Sequence, residues 1–340
     1  MKAMPAARGP ISEWLFESFA RGPGAAVGSP PELAAVGDPL ADDDLQLALY
    51  CCYELHYGGL PGIDDRLEWD PGVLAARAAL ETVFEHALLG AVGPPGDAPD
   101  ARDMDLALRA IAEADEGPSL SRFLQRRATA EQAVEFLVHR SAYQLKEADP
   151  HSWALPRLHG APKAALVEIQ ADEYGGGRAE RIHATLFARS MDAFGLDSTP
   201  NAYLDVIPGA TLATVNLMSL LGLHRRWRGA IVGHLALFEM TSSIPNRRYG
   251  DGLRRLGYDG AATDFFDEHV EADAVHENIA AVDLAGGLAR QQPQLAADVI
   301  WGARALAELD GRWAAAVMSA WERDESSLLP PRAAAAPVAA

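Results

Sequence analysis

The 340-residue chain has little cysteine: Cys51 and Cys52 are its only two, and they are adjacent. Neighbouring cysteines rarely pair, and two cannot frame a chain this long, so a disulfide scaffold is excluded and a reducing cytoplasm is expected. Cationic residues are also scarce. Lys and Arg total 29 against 48 Asp and Glu, a formal net charge of -19. So acidic a surface repels phosphate backbones, which excludes general nucleic-acid binding. Long apolar runs are missing too. The most apolar stretch, 210–223, carries Thr, Asn and Ser and ends against His224, Arg225 and Arg226. It is too short and too polar to span a bilayer, so no membrane association is expected. The opening MKAMPAARGPISEWLFESF holds no apolar signal-peptide core.

Alternating strand patterns are nearly absent, while Ala, Leu, Glu and Arg dominate. The expected fold is all-α. Helices are predicted near 42–57, 71–91, 102–115, 129–147, 161–195, 208–221, 225–242, 260–282 and 292–325. Asp70 before Pro71 reads as an N-cap with proline in the first turn. The PPGDAP stretch at 94–99 and the segment after it suggest a division into a helical N-terminal region, 1–125, and a helical domain, 126–327. The N-terminal region is expected to support a homodimer. The low-complexity tail, 328–340, is expected to be disordered.

Chemistry concentrates in the second part. His269, Asp273 and His276 are spaced so that a helix brings them within about 60° of one another. Imidazole and carboxylate on one stripe suit iron, manganese or zinc. Glu268, Glu271 and Glu277 alongside also fit a solvated face. On the predicted 161–195 helix, Glu173, Glu180 and His183 share an arc of about 80°. Between them stand Gly175, Gly176 and Gly177, each costing about 1 kcal/mol in a helix relative to alanine. Either a ligand or neighbouring helix approaches there, or the helix breaks. Glu239 follows the apolar stretch AIVGHLALF, where a buried carboxylate needs a cation or a proton. Glu147 ends the 129–147 helix, where Lys146 and Asp149 also fit an ordinary charged helix end.

These positions are too many for one metal and suit two ions bridged by carboxylate. One arrangement is the ferritin-like order: Glu147, Glu180 with His183, Glu239, Asp273 with His276. It leaves His269 and Glu173 without roles. The other resembles the haem-oxygenase-like di-iron oxidases and oxygenases, the iron-containing redox enzymes. The residues carrying the resemblance are Glu173 with Tyr174-Gly-Gly-Gly, His183, Glu239, and His269-x-x-x-Asp273-x-x-His276. Glu147 stands where N-oxygenating members carry an additional glutamate. The cupin domain of N-nitrosating members has no counterpart in these residues, so N-oxygenation is implied and nitrosation is not.

The resemblance implies a haem-oxygenase-like bundle whose metal ligands are Glu147, Glu173, His183, Glu239, His269, Asp273 and His276. It implies a cofactor of two Fe(II) ions, O2 as co-substrate, and an external electron donor such as a reductase or ferredoxin. The implied substrate is a small amine or amino-acid-like metabolite, with oxidative C–C cleavage as the alternative reaction. A ferritin-like iron-binding protein without organic substrate is the rival. Tyr174 is a candidate to hydrogen-bond a ligand carboxylate, or to pack. His224 and His234 could support the site from the Glu239 helix. Arg140, Tyr143, Arg181, Arg247 and Arg248 could receive a substrate carboxylate. A Cys51-Cys52-x-Glu54-x-His56 metal site is disfavoured, because adjacent side chains project about 100° apart on a helix.

Overall fold

The computed structural model describes residues 4–331, apart from 29, 34, 35, 115, 116 and 118 and the side chains of 271, 273 and 274. Among the described residues there is no strand. The N-terminal region contributes α1 (Pro10–Arg21), α2 (Asp43–Glu54), α3 (Pro71–Val92), α4 (Met104–Glu113) and α5 (Leu120–Arg126). Then come α6 (Ala130–Gln144), α7 (Asp149–Ser152), α8 (Ala161–Glu173), α9 (His183–Ala193) and α10 (Gly209–Leu223). The chain continues through α11 (Arg228–Arg255) and α12 (Asp264–Asn278), a π-helical stretch at Ile279–Gly286, then α13 (Gly287–Gln291) and α14 (Ala296–Glu322).

The helix starts follow their side chains. Asp70 accepts from the amides of Gly72 and Val73, with Pro71 in the first turn, as expected. Thr129 and Gln132 cap α6 reciprocally. Two expectations fail. The predicted 161–195 helix is broken: α8 stops at Glu173, and 3₁₀ turns at Gly175–Gly177 and Ala179–Arg181 precede α9. The three glycines all take positive φ, which a continuing helix cannot accommodate. The predicted 225–242 helix instead runs on to Arg255, with Pro245 inside it.

The centre of the bundle is the α11–α14 pair. Gly233 lies against the backbone of Val299, and Gly302 against the backbone of Ala230, with no room for a Cβ at either place. That reciprocal approach seats α11 deep in the molecule. One core cluster runs from Ile11 and Leu15 through Leu217 to Leu306, so the two predicted regions share it. A second cluster, including Phe136, Phe187, Phe265 and Trp313, packs α6, α9, α12 and α14 together. Leu329 donates its amide to the carbonyl of Val206. The remainder of the predicted tail, 332–340, lies outside the described residues. No helix among the described residues is long and apolar enough to cross a membrane.

Candidate metal centre

Five elements deliver six buried side chains to one place. Glu147 sits in the turn after α6, which ends at Gln144 rather than at the predicted 147. Ala148 beside it takes φ 74°, an uncommon conformation for a residue with a Cβ. The Ala148 carbonyl accepts from the Gln170 side chain at 2.9 Å, which ties this turn to α8. The turn thus directs Glu147 inward, and it is 5% exposed. Glu173 is the last residue of α8 and His183 the first of α9. Breaking the predicted helix brings these two together by a route that a continuous helix would not allow. Glu239 comes from α11, and His269 and His276 from α12.

The ligand atoms form two overlapping groups, each with its atoms within 4.8 Å of one another. One comprises Glu147, Glu173, His183 and His269; the other comprises Glu173, Glu239 and His276. Glu173 belongs to both, presenting Oε2 to His183 Nδ1 at 2.9 Å and Oε1 to His276 Nδ1 at 4.0 Å. His269 Nε2 is 3.4 Å from Glu147 Oε1, and His276 Nδ1 is 3.4 Å from Glu239 Oε2. Asp273, the middle residue of the α12 motif, has its side chain outside the described residues.

The atoms converge without satisfying one another. Glu147 Oε2, Glu173 Oε2, His183 Nδ1 and His276 Nδ1 are buried and have no well-aligned hydrogen bond, only the charge contacts just described. Buried polar atoms are normally paired, so such a convergence is the arrangement expected around a cation. The outward nitrogens of His269 and His276 are engaged elsewhere. His269 Nδ1 donates to the Phe265 carbonyl at 2.8 Å, and His276 Nε2 lies 3.1 Å from Asp172 Oδ2. Such outer contacts fix the tautomer and turn the other nitrogen toward a metal.

Electrostatics agree. Burial opposes charge on Glu173, but the imidazoles of His183, His269 and His276 outweigh it and hold the carboxyl at about 2. Burial also opposes charge on His276, and there the Glu239 carboxylate, then Glu173 and Asp172, outweigh it and lift the imidazole to about 9. His183 is raised as well, with Glu173 overcoming its burial. Protons on these rings balance the carboxylates in the absence of metal, and cations can take that place. Mixed imidazole and carboxylate donors with a shared glutamate fit two iron ions.

A small cleft adjoins the centre. It is lined by Tyr143, His151, Gln170, Leu235, Phe238 and Ser242, with Glu147, Glu173, Glu239 and His269 also facing it. His151 Nε2 lies 3.1 Å from His234 Nδ1, and burial holds both rings neutral, His151 at about 4. Sequence reading missed His151, Gln170 and Asp172. The Asp172-Glu173 pair at the end of α8 was the one signal available for the last.

Other sequence candidates go elsewhere. Glu180 is exposed on a 3₁₀ turn, which removes it from the ferritin-like scheme. Tyr174 donates to Asp149 at 2.7 Å rather than to a ligand carboxylate. Tyr143 does line the cleft, whereas Arg181 pairs with Glu268, Arg140 covers the Trp313 ring, Arg248 bonds Ser121 and Arg247 is exposed. His234 supports His151, while His224 bonds Glu81. In the N-terminal region His56 is held by Arg77 and Glu68, Glu54 pairs with Lys146, and both cysteines are free and buried.

Comparison with known proteins agrees with this geometry. Residues 134–311, just over half of the chain, match a family described as iron-containing redox enzymes. That span contains all six converging residues and Asp273. The chain is also 30% identical over 138 residues to the nitrosourea synthase of Streptomyces achromogenes subsp. streptozoticus. The match covers 40% of this chain and 29% of that relative's length.

Proposed function

The chain belongs to the iron-containing redox enzymes, with their all-α haem-oxygenase-like fold, and from that premise we propose that it is a non-haem di-iron oxygenase. Its reaction is N-oxygenation of a small amine or amino-acid-like metabolite, using O2, to a hydroxylamine or a more oxidised nitro product. The observation that carries this reading is Glu173, common to two groups of buried ligand atoms. One carboxylate with an oxygen toward each group is what a bridged pair of metals requires.

Glu147, Glu173, His183 and His269 would hold one iron, and Glu173, Glu239 and His276 the other, with Asp273 expected as a further ligand from its place in the His269-x-x-x-Asp273-x-x-His276 motif. When bound, the irons would supply electrons and a binding position for O2. The protein contributes the rest. Asp172 and the Phe265 carbonyl orient the imidazoles. Phe238 and Leu235 keep one side of the cleft apolar, and Tyr143 offers a hydroxyl there. The neutral His151–His234 couple places an uncharged polar ring on the cleft wall, where it can hydrogen-bond an amine that enters without its proton.

N-oxygenation is preferred over C–C cleavage because Glu147 enlarges the carboxylate set and because a relative is named for making a nitrosourea, a product with an oxidised nitrogen. The test is Fe(II)-reconstituted protein supplied with isotopically labelled O2, a reductant and a panel of primary amines and amino acids. The expected product is a hydroxylamine carrying one labelled oxygen on nitrogen. Chain-shortened fragments without an N–O bond would give the reaction to C–C cleavage. Growth of ferric mineral without organic product would give the protein to iron storage.

A further inference from the structure

Where α5 meets α11 the acidic chain gathers several arginines, most of which pair with no carboxylate among the described residues. α5 bears Arg122 and Arg126, with Arg127 just past its end, and the neighbouring stretch of α11 bears Arg247, Arg248 and Arg255. The two helices are pressed together: Gly252 lies against the backbone of Leu124 with no space for a Cβ. Arg248 reaches Ser121 Oγ at 3.2 Å, and Arg255 donates to the carbonyls of Leu124, Gln125 and Ala128. Arg255 is therefore occupied in closing the end of α5.

The others are not. On this face Arg254 pairs with Asp259 and Asp267, whereas Arg122, Arg126, Arg127, Arg247 and Arg248 form no ion pair with a carboxylate among the described residues. Arg122, Arg126, Arg127 and Arg247 are exposed. Asp251, interleaved with them, accepts instead from the Gln125 amide at 2.9 Å. Arg122 and Arg126 are four residues apart on one short helix, a like-charge spacing that destabilises it. Partial burial, then Arg122 and Arg126, hold the Arg248 guanidinium below its ordinary value. Folding thus gathers repelling charges in a protein with a net charge of -19. Beneath them the buried side chains of Leu124, Phe136 and Leu253 pack α5, α6 and α11 together, so the arginines stand on a fixed base.

We propose that this arginine face of α5 and α11 docks an acidic iron–sulfur electron-carrier protein. The inference rests on the oxygenase reading, which needs electrons from outside. R–NH2 + O2 + 2 e⁻ + 2 H⁺ gives R–NHOH + H2O: one oxygen atom forms the N–O bond and the other leaves as water. The two electrons come from two reduced carriers, each oxidised by one electron. Position fits this role. Arg248 follows Glu239 by nine residues on the same helix, about 13.5 Å along its axis. An acidic carrier is repelled by the rest of the surface and drawn to this face, so the charges set where it docks.

The experiment measures binding of the full-length protein to a strongly acidic [2Fe–2S] ferredoxin by calorimetry, at low and raised salt. The double variant Arg122→Glu/Arg126→Glu should bind roughly tenfold more weakly, or worse, and lose most of the salt dependence. Arg304→Glu on the exposed side of α14 should bind as the wild type does. The melting temperature of the double variant should stay close to that of the wild type, because repulsion of Arg248 is relieved while the two glutamates repel each other as the arginines did. In iron-loaded protein the double variant should slow reduction by ferredoxin and leave reduction by dithionite unaffected. Equal affinity in wild type and double variant would overturn the proposal, as would an equal loss in Arg304→Glu. Tighter binding of the wild type to anionic lipid vesicles or single-stranded DNA than to ferredoxin, abolished by the same variant, would assign the face to another partner and overturn it too. Patch-dependent ferredoxin binding without any N-oxidised product would support the docking face and sink only the oxygenase reading.

Discussion

Asp172 Oδ2 stands 3.1 Å from Nε2 of His276, and this leaves Nδ1 as the nitrogen that faces Glu239 and Glu173. Adjacent residues at the end of α8 therefore address opposite sides of one imidazole. Asp172 orients the ring, and Glu173 shares its metal-facing side. Replacing Asp172 with Asn keeps the shape but removes the charge that favours this tautomer. Iron affinity at the His276 position should fall by roughly 10- to 100-fold, the usual cost of losing an outer partner. Fe(II) titration by calorimetry under anaerobic conditions measures it, and an unchanged affinity would remove Asp172 from this role.

The turn after Glu173 yields a second expectation. Gly175 has φ 68°, and a Cβ there would press on the backbone of Arg181 and Ile182, whereas Gly176, with φ 58°, faces open space. A side chain in the left-handed region costs about 1–2 kcal/mol. Gly176→Ala should lose about that much stability and keep its iron. Gly175→Ala adds a collision that pushes α8 and α9 apart, so it should lose more than about 2 kcal/mol and bind iron poorly. Denaturant melts with iron analysis separate the two variants.

A third expectation concerns pH in the metal-free protein. The His276 pKa is raised to about 9 by its carboxylate neighbours, against an ordinary value near 6.5. The stability this contributes is fully present below about 6.5 and is lost as pH rises through about 9. Glu173, held at about 2, contributes stability above its ordinary value near 4.5, lost as pH falls toward 2. Between pH 6.5 and 9 the metal-free protein should thus lose melting temperature while its iron affinity rises, because metal must displace a proton from His276. Proton release on iron binding, measured in buffers of different ionisation enthalpy, should shrink over the same range. A flat response would place the site proton elsewhere.

Much of this centre was legible in the sequence because helical spacing is local information. His269 and His276 converge through the geometry of one helix, and Glu239 announced itself as a carboxylate within an apolar run. What was not legible depends on contacts between elements. The arc that grouped Glu180 with Glu173 assumed an unbroken helix, and three positive-φ glycines put Glu180 in solvent instead. The inward turn of Glu147 depends on the backbone at Ala148 and on Gln170 from α8. His151 became part of the cleft only through its contact with His234, 83 positions away. The all-α class followed from composition, but the extension of α11 past Pro245 follows from packing against α12, α14 and α5.

Glu147 distinguishes the two metal positions. It belongs only to the group with His183 and His269. Glu147→Ala should therefore keep one iron per chain of two, and its yield of N-oxidised product should fall sharply. Glu180→Ala should match the wild type in both respects. Mass-spectrometric product yield beside metal analysis provides the check, and full product yield from Glu147→Ala would withdraw the reason for preferring N-oxygenation to C–C cleavage.

The shared carboxylate is most directly tested by an anaerobic Fe(II) titration of wild type and Glu173→Ala, followed by Mössbauer and EPR spectroscopy after exposure to O2. The wild type should saturate at two irons per chain, and its oxidised ions, joined through Glu173, should couple magnetically and show no mononuclear ferric EPR signal. Glu173→Ala should lose affinity at both positions together. Saturation of the wild type at one iron, or two irons retained in Glu173→Ala, would contradict a centre built on that bridge.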